Sequence, residues 1–297
     1  MPLRSLESIA LRSLTAKDRS AELAAAAARA VASATSARGG RAPILAAVIA
    51  TDEPDARIYM ERLLKVASAA GMSVRAVQLS ATANEGEISA ALGALSAEDD
   101  VAGIILQSPL PVGVDRDRVA SSIDPEKDVD GLTAANVARL EAGDTSGALP
   151  ATAAAVMELL RAHDIAIAGR RAVVVGRSAV VGRPVAQLLR LAGALVEVVH
   201  TGTPDMGEVT RRAEILVVAA GVRGLVRGEH VARGAVVIDV GIHAVGEEIY
   251  GDVDEESVAA ALGPDGALSP VPGGVGPLTN AILVLQAARA AERRAGA

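Results

Sequence analysis

The sequence predicts an α/β fold of two domains, each built on a parallel sheet flanked by helices. Short apolar runs alternate with helical segments twice along the chain, and a small polar stretch over 143–147 separates the two series. Such alternation is typical of parallel sheets, because the crossover between two parallel strands is usually a helix. A length of 297 residues also suits two domains of ordinary size.

The first series is predicted to form a helix over 20–38 and then three buried strands separated by helices. Gly39 and Gly40 end the first helix, Pro54 suits the first turn of the second, and Gly71 closes it. The predicted strands lie over 44–50, 74–79 and 101–107, and the helices between them lie over 54–70 and 85–95.

The second series is predicted to form a Rossmann-like unit. Its strands are expected over 171–175, 195–200, 215–219 and 236–240, and its helices over 153–163 and 183–192. A last helix, about 278–294, follows a segment rich in Pro and Gly and is expected to pack back on the first domain. The predicted domains are therefore 1–147, completed by helix 278–297, and 148–277.

Composition excludes several classes of function. The chain has no Cys, which excludes disulfides, thiolate metal sites and Cys nucleophiles. Two Tyr, no Phe and no Trp leave no aromatic platform for stacked bases, and a net charge of −7 repels phosphate backbones. The four His show no ligand spacing, so we expect no metal site. Because the chain lacks an aromatic platform and is negatively charged, we also expect no nucleic-acid partner.

Targeting signals are also missing from the sequence. No apolar run approaches the roughly 20 residues that span a bilayer, and the stretch 1–12 mixes charged with apolar residues rather than forming a signal-peptide core. We therefore expect a cytoplasmic protein without a membrane partner.

A glycine-bearing turn joins the strand 171–175 to the next helix and predicts a dinucleotide site. Gly176 permits the tight turn, Ser178 is small enough for close approach of a pyrophosphate, and Gly182 lets the helix pack against the sheet. The helix N-terminus would present N–H groups to phosphate. The spacing departs from G-x-G-x-x-G, so a purely structural turn is the alternative interpretation.

The end of the following strand favours NADP over NAD. NAD-specific folds usually place a carboxylate there to hold the ribose 2′-hydroxyl, whereas this strand ends in His200 and Thr201 and carries Glu197 inside. Arg177 can pair with a 2′-phosphate. The predicted cofactor-binding residues are Gly176, Arg177, Ser178, Val181, Gly182, His200, Thr201 and Ile242.

Four further segments carry a family resemblance: Ile58-Tyr59, 103–111, 125–131 and 270–277. Together with the turn at Gly176 they closely resemble the bifunctional methylenetetrahydrofolate dehydrogenase/methenyltetrahydrofolate cyclohydrolase family, from about residue 43 to residue 285. Segments 128–131 (Asp-Val-Asp-Gly) and 272–277 (Pro-Gly-Gly-Val-Gly-Pro) are very specific in combination.

The resemblance implies a homodimer that binds NADP and a reduced folate. It implies oxidation of 5,10-methylenetetrahydrofolate to the 5,10-methenyl form, which water then opens to 10-formyltetrahydrofolate. The residues it implies as catalytic are Tyr59, Gln107 and Asp130, and the same three with Pro272, Gly273 and Gly274 are implied to bind substrate. Lys127 and Arg183 have equal structural and functional interpretations.

One helix departs from the family pattern. The family has Tyr, three residues and then a catalytic Lys, whereas this chain has Leu63 four residues after Tyr59 and Ala56 in place of a common Ser. Positions i and i+4 share a helix face, so Lys65 points about 120° away and does not substitute, while Arg62 is nearer but is a poor proton shuttle.

We therefore hypothesise that the cyclohydrolase step is weak or absent while hydride transfer survives. Hydride transfer depends on positioning two ligands, whereas hydration also needs water activation and proton movement. Two alternatives stay open on the residues alone: a dehydrogenase of an altered reduced pterin, and a catalytically silent protein that binds folate or nucleotide.

Overall fold

A computed structural model of the chain describes residues 11–246 and 248–296. These residues form two compact units. The three-stranded unit comprises Ser20–Ala151 with the described part of Asn280–Ala297, and the six-stranded unit comprises residues 11–19 with Thr152–Thr279. The predicted fold class, two α/β domains with parallel sheets, is confirmed.

The helices and strands follow in chain order. The strands are β1 (Arg12–Ser13), β2 (Ile44–Ile49), β3 (Ser73–Gln78), β4 (Val101–Leu106), β5 (Arg171–Val175), β6 (Leu195–Val199), β7 (Ile215–Val218), β8 (Val236–Asp239), β9 (His243–Val245), β10 (Glu248–Tyr250) and β11 (Ala267–Leu268). The helices are α1 (Lys17–Ala37), α2 (Pro54–Ala69), α3 (Glu85–Ala97), α4 (Arg116–Ala120), α5 (Ala134–Glu141), α6 (Ala151–Ala162), α7 (Gly182–Leu191), α8 (Met206–Thr210), α9 (Glu255–Leu262) and α10 (Val275–Ala295).

The three-stranded unit is built on a parallel sheet in the order β3-β2-β4. All six side chains of β4 are buried, which explains why the run 101–106 is uniformly apolar rather than alternating. Aliphatic side chains of α3 fill one face of this sheet, with Ile88 and Leu92 fully buried against Val48 and Ile104. Helix α3 begins at a capping box in which Asn84 and Glu87 bond each other's backbone N–H.

The C-terminal helix belongs to the three-stranded unit from Asn280 onward. The Gln286 side chain donates to Val129 O at 2.8 Å and to Leu149 O at 3.0 Å, and it accepts from Leu149 N at 2.8 Å. Gly103 permits the close packing, because a Cβ there would lie 2.9 Å from Ala287 Cβ. Helix α10 therefore completes the three-stranded unit, whose other elements lie between Ser20 and Ala151.

The six-stranded unit holds a wholly parallel sheet in the order β1-β11-β8-β7-β5-β6. Its central strands are Val- and Ile-rich and buried, as expected for a sheet covered on both faces. A short antiparallel hairpin, β9–β10, follows β8.

The N-terminal segment departs from the predicted domain division. Residues 11–19 were expected within 1–147, yet Arg12 and Ser13 pair with Ala267 and Leu268 at the edge of the six-stranded sheet. A two-residue strand leaves no periodic pattern in the sequence, so composition gave no sign of this pairing. Residues 1–10, where the sequence lacks a signal-peptide core, lie outside the described residues.

Membrane-spanning helices were also sought. None of the helices within residues 11–246 and 248–296 combines the length and apolar character that crossing a bilayer requires.

Candidate active site

The turn after β4 carries Gln107. Its backbone N–H donates to Val48 O at 3.0 Å, and its side-chain Nε2 donates to Ser108 O at 2.9 Å. The residue therefore lies at the C-terminal end of a parallel strand, where α/β sheets bind ligands.

Arg116 holds this turn from the first position of α4. One guanidinium nitrogen donates to Ser108 Oγ at 2.7 Å and the other donates to Leu106 O at 3.1 Å. The guanidinium thus bonds the residues on both sides of Gln107. Sequence reasoning missed Arg116, because a five-residue helix carries no recognisable periodicity; the N-cap Asp115, which accepts from Asp117 N and Arg118 N, is the one local signal.

The Asp-Val-Asp-Gly loop is fixed by Asp128. Its buried carboxylate accepts from Thr133 N at 2.7 Å and from Asn136 Nδ2 at 2.9 Å. Gly131 turns the chain at φ +66°, and a Cβ there would lie 2.6 Å from the carbonyl carbon of Leu149. Asp128 and Gly131 are therefore structural, and they present Asp130 between them.

Asp130 is partly buried and accepts weakly from Ala151 N at 3.4 Å. Burial raises the pKa of this carboxyl to about 6, although the positive charge of Arg116 and the N–H of Ala151 oppose the rise and Asp128 adds to it. The carboxyl is therefore ionised near neutral pH and protonated in moderately acidic solution.

The phenol of Tyr59 interacts electrostatically with the carboxylate of Asp130. Burial raises the pKa of the phenol well above its usual value, and the negative charge of Asp130 raises it further. Tyr59 is consequently a neutral hydrogen-bond donor across the physiological range. The structure thus brings Tyr59, Asp130 and the Gln107 turn together within the three-stranded unit, linked through Arg116.

Helix α2 places Leu63 one turn after Tyr59, as predicted from the spacing. Leu63 is fully buried, with 0% of its side chain exposed, and Ala56 is also buried. Arg62 and Lys65 are exposed to solvent. Neither cation therefore takes the inward position that Leu63 occupies.

Lys127 has a structural environment. It is 1% exposed, and its ammonium donates to Ser96 O at 2.6 Å in the last turn of α3 and to Glu98 O at 2.7 Å at the C-cap of that helix. Of the two interpretations that the sequence allowed, the contacts support the structural one.

The turn between β5 and α7 depends on two glycines. Gly176 has φ +127°, and a Cβ there would lie 2.1 Å from Ala219 O. A Cβ on Gly182 would lie 2.2 Å from Gly176 O. Only glycine fits at these two positions, because any side chain there would collide with the backbone. The turn therefore leaves its backbone open to a pyrophosphate.

Ser178 closes the same turn. Its hydroxyl accepts from Val181 N and from Gly182 N, each at 3.2 Å, so it caps the start of α7 as well as being small. Arg177 beside it is exposed. The turn therefore fits a dinucleotide phosphate, with an adjacent guanidinium for a second phosphate.

The remaining predicted cofactor residues lie after β6 and β8. His200 is held in a tight turn, where its Nδ1 accepts from Gly202 N at 3.1 Å and its backbone N donates to Thr203 Oγ1 at 3.0 Å. Thr201 is exposed, and Ile242 is 61% exposed although apolar. An exposed Ile after a central parallel strand is consistent with contact to a flat ring.

Asp252 is a residue of this region that sequence reasoning missed. Its carboxylate accepts from Ala220 N at 2.6 Å and Gly221 N at 2.8 Å after β7, and it pairs with His243 Nε2 at 2.7 Å. It thereby links the end of β7 to the first residue of β9.

The segment of Pro272, Gly273 and Gly274 lies in the six-stranded unit, unlike Tyr59, Gln107 and Asp130. Pro272 is exposed, Gly273 has φ +114° and accepts from Ala16 N at 2.9 Å, and a Cβ on Gly274 would lie 2.7 Å from Pro270 O. The two glycines are therefore required by the backbone itself. In the described part of the chain, no group of three or more metal-ligating side chains comes together.

Comparisons with known proteins identify the family of this chain. Residues 14–130 match the model of the tetrahydrofolate dehydrogenase/cyclohydrolase catalytic domain, and residues 150–295 match that of the NAD(P)-binding domain. The bifunctional protein FolD of Nocardia farcinica is 46% identical over 259 residues, covering 87% of this chain and 90% of that protein.

Solved structures agree as well. FolD of Campylobacter jejuni superposes with a TM-score of 0.89 at 36% identity, covering 96% of this chain and 99% of that one. The Trypanosoma brucei enzyme, described as complexed with NADP cofactor and inhibitor, has a TM-score of 0.88 at 34% identity and covers 95% and 98% of the two chains. The chain therefore belongs to the tetrahydrofolate dehydrogenase/cyclohydrolase family.

Proposed function

We propose that this protein oxidises 5,10-methylenetetrahydrofolate to 5,10-methenyltetrahydrofolate with NADP. The observation that carries the proposal is the grouping of Tyr59, Asp130 and the Gln107 turn in one unit of a family member. A neutral phenol, an ionised carboxylate and a primary amide offer both donors and acceptors to the edge of a pterin ring. Neither alternative, an altered pterin substrate or a silent binding protein, is favoured by the relatives.

The proposed roles follow from the chemistry of each group. Asp130 accepts from ring N–H groups of the pterin, and Gln107 both donates to and accepts from the substrate. Tyr59 presents its phenol and the flat face of its ring beside the methylene bridge. Pro272, Gly273 and Gly274 bring backbone close to the bound folate. These groups orient the substrate; no proton has to move while hydride leaves the bridge carbon.

NADP binds on the turn of Gly176, Ser178 and Gly182 in this proposal. Val181, the N-cap of α7, and Gly182, its first residue, would lie at the phosphates. Arg177 would pair with the 2′-phosphate, and His200, Thr201 and Ile242 would line the remainder of the cofactor site. When bound, NADP supplies a hydride acceptor. The absence of a carboxylate at the end of β6 removes the group that would favour NAD.

The second family step, hydrolysis of the methenyl bridge, is proposed to be slow in this chain. Leu63 fills the inward position of α2, and the nearby cations Arg62 and Lys65 face solvent. Without an amine there, the side chain at this inward position cannot move the protons that hydration requires.

The direct test is NADP⁺ reduction by purified protein supplied with methylenetetrahydrofolate. We expect turnover with the methylene compound and none with tetrahydrofolate, which lacks the bridge carbon. Equal reduction with both compounds, or none with either, would contradict the proposal.

Homodimer formation and a cytoplasmic location are proposals that the family resemblance supports. Sedimentation velocity at micromolar protein is expected to give a single species of twice the chain mass of 29.9 kDa. A monomer across that range would contradict the dimer.

A further inference from the structure

Arg116 contacts the turn that carries Gln107, one of the proposed folate-binding residues. Its two terminal nitrogens bond the residues on either side of Gln107, and its Nε is buried without an acceptor among the residues that the structure describes. A buried donor without a partner destabilises the fold, so a purely structural role accounts poorly for this placement.

Arg118, two residues later on α4, offers the contrast. It is 69% exposed and pairs with Glu85 at 2.8 Å, which is the setting of an ordinary surface ion pair. Arg116 is instead partly buried, and its charge interacts with Asp130 and Asp128 of the Asp-Val-Asp-Gly loop and with Asp117 of its own helix. The two arginines therefore share one helix but lie in different environments.

We propose that Arg116 is a positioning residue of the folate site, holding the Gln107 turn and supplying the cation that faces Asp130 in a chain with Leu63 on α2. This inference rests on the proposed function. The charged and titratable groups that act on Asp130 are Arg116 from α4, Asp128 from its own loop and Tyr59 from α2. Arg116 is the one cation among these three, and with the N–H of Ala151 it favours the ionised carboxylate.

The consequence is a pH range for substrate binding. Burial raises the pKa of Asp130 to about 6 even with Arg116 present. Removal of the guanidinium charge would raise that pKa further, and each additional unit would lower the ionised fraction tenfold at a given acidic pH. A protonated Asp130 loses acceptor capacity toward pterin N–H groups.

The experiment compares Arg116→Gln with Arg118→Gln, using kcat/KM for methylenetetrahydrofolate between pH 5 and 9. Wild type and the Arg118 variant are expected to lose activity below a midpoint near pH 6. The Arg116→Gln midpoint should move upward by about one pH unit or more, with the loss at pH 6.5 expressed mainly in KM and relieved at pH 9.

Arg116→Lys separates charge from hydrogen bonding. It should keep the wild-type midpoint while lowering kcat/KM at every pH, because it retains the cation and loses the paired contacts. Carbon-13 NMR titration of Asp130 in the ligand-free proteins should show the same ordering of carboxyl pKa values.

Distinct outcomes separate the two claims. An inactive wild type contradicts the proposed function together with this inference. An active wild type with an unshifted Arg116→Gln midpoint overturns only the inference, as does a Lys variant that shifts as far as the Gln variant. If Arg116→Gln does not fold, the Lys variant and its carboxyl titration decide.

Discussion

At the scale of single residues, the partly buried carboxyl of Asp130, a proposed folate-binding group, lowers the stability of the folded protein. Its carboxyl lies partly buried beside a second carboxylate, and one weak backbone hydrogen bond at 3.4 Å is given by Ala151. Ionising it in the folded protein is therefore unfavourable relative to the unfolded chain. Such an arrangement suits a group whose partner is the ligand rather than the protein.

Replacement of Asp130 by Asn should stabilise the protein at neutral pH while abolishing most activity. The folded pKa of about 6 exceeds the unfolded value, so the folded state binds more protons between about pH 4 and 6 and loses stability as pH rises through that window. The variant escapes this loss. We expect a gain in Tm of about 2–4 °C at pH 7.5, consistent with ~1 kcal/mol.

The pH dependence provides the control for that prediction. At pH 4 both proteins carry a neutral group at position 130, so their Tm values should nearly coincide. Asp239, whose pKa burial also raises to about 6 against three backbone N–H donors, contributes equally to both proteins. A Tm difference that is constant from pH 4 to pH 7.5 would refute the linkage.

Leu63→Lys should increase methenyltetrahydrofolate hydrolysis by about a hundredfold, the lower end of the range for general acid–base groups. The cost is stability, because position 63 is fully buried and a charge there must find a partner. Loss of methenyl absorbance measures the gain. Leu63→Met, which keeps volume and polarity, is the matched control and should change nothing; an equal increase in both variants would show that the amine is not responsible.

At the scale of elements, the β5–α7 turn, the proposed site of the cofactor phosphates, has no room for a side chain at Gly176. Gly176→Ala should abolish detectable NADP binding and lower Tm markedly, because the new Cβ would collide with Ala219 O and φ would stay at +127°. Calorimetric titration measures the binding. Gly93→Ala on α3, where the Cβ meets open space, should bind NADP normally and gain up to ~1 kcal/mol of stability; a similar outcome for both would contradict the steric reading.

Arg177→Ala should reduce discrimination between NADP and NAD. Loss of one charged contact to the 2′-phosphate is expected to raise KM for NADP about tenfold or more and to leave KM for NAD nearly unchanged. Arg190, exposed in the last turn of α7, supplies the control, since its Ala variant removes the same charge away from the turn. Parallel rises in both KM values would assign Arg177 a general phosphate role instead.

Elements with a strong local signal were predictable. Strand β5 runs over the predicted residues, and α2 begins at Pro54, because apolar runs and Pro at a helix start are local features. The edge pair β1 and β11, the hairpin β9–β10 and helix α4 were not predicted. Each of these strands and this helix has five residues or fewer, which is too short to leave a periodic pattern in the sequence.

At the scale of the whole molecule, motifs located the glycine turn and the residues Tyr59, Gln107 and Asp130. What they could not supply are the partners that arrive from elsewhere in the chain. Gln286 reaches Val129 across 157 positions, and Asp252 reaches Ala220 across 32. Arg116 is only eight positions from Ser108, but their hydrogen bond forms only because α4 packs beside the Gln107 turn. Contacts of this kind follow from tertiary packing and leave no spacing rule.

The division of activities is the central claim: a working dehydrogenase half and a weakened hydrolytic step in one family member. The most direct measurement follows NADPH and methenyltetrahydrofolate together as purified protein turns over methylenetetrahydrofolate with NADP⁺. We predict that NADPH and the methenyl product rise in step, with methenyl lost much more slowly than NADPH is formed. NADPH formation with 10-formyltetrahydrofolate as the accumulating product, or no NADPH at all, would contradict the account.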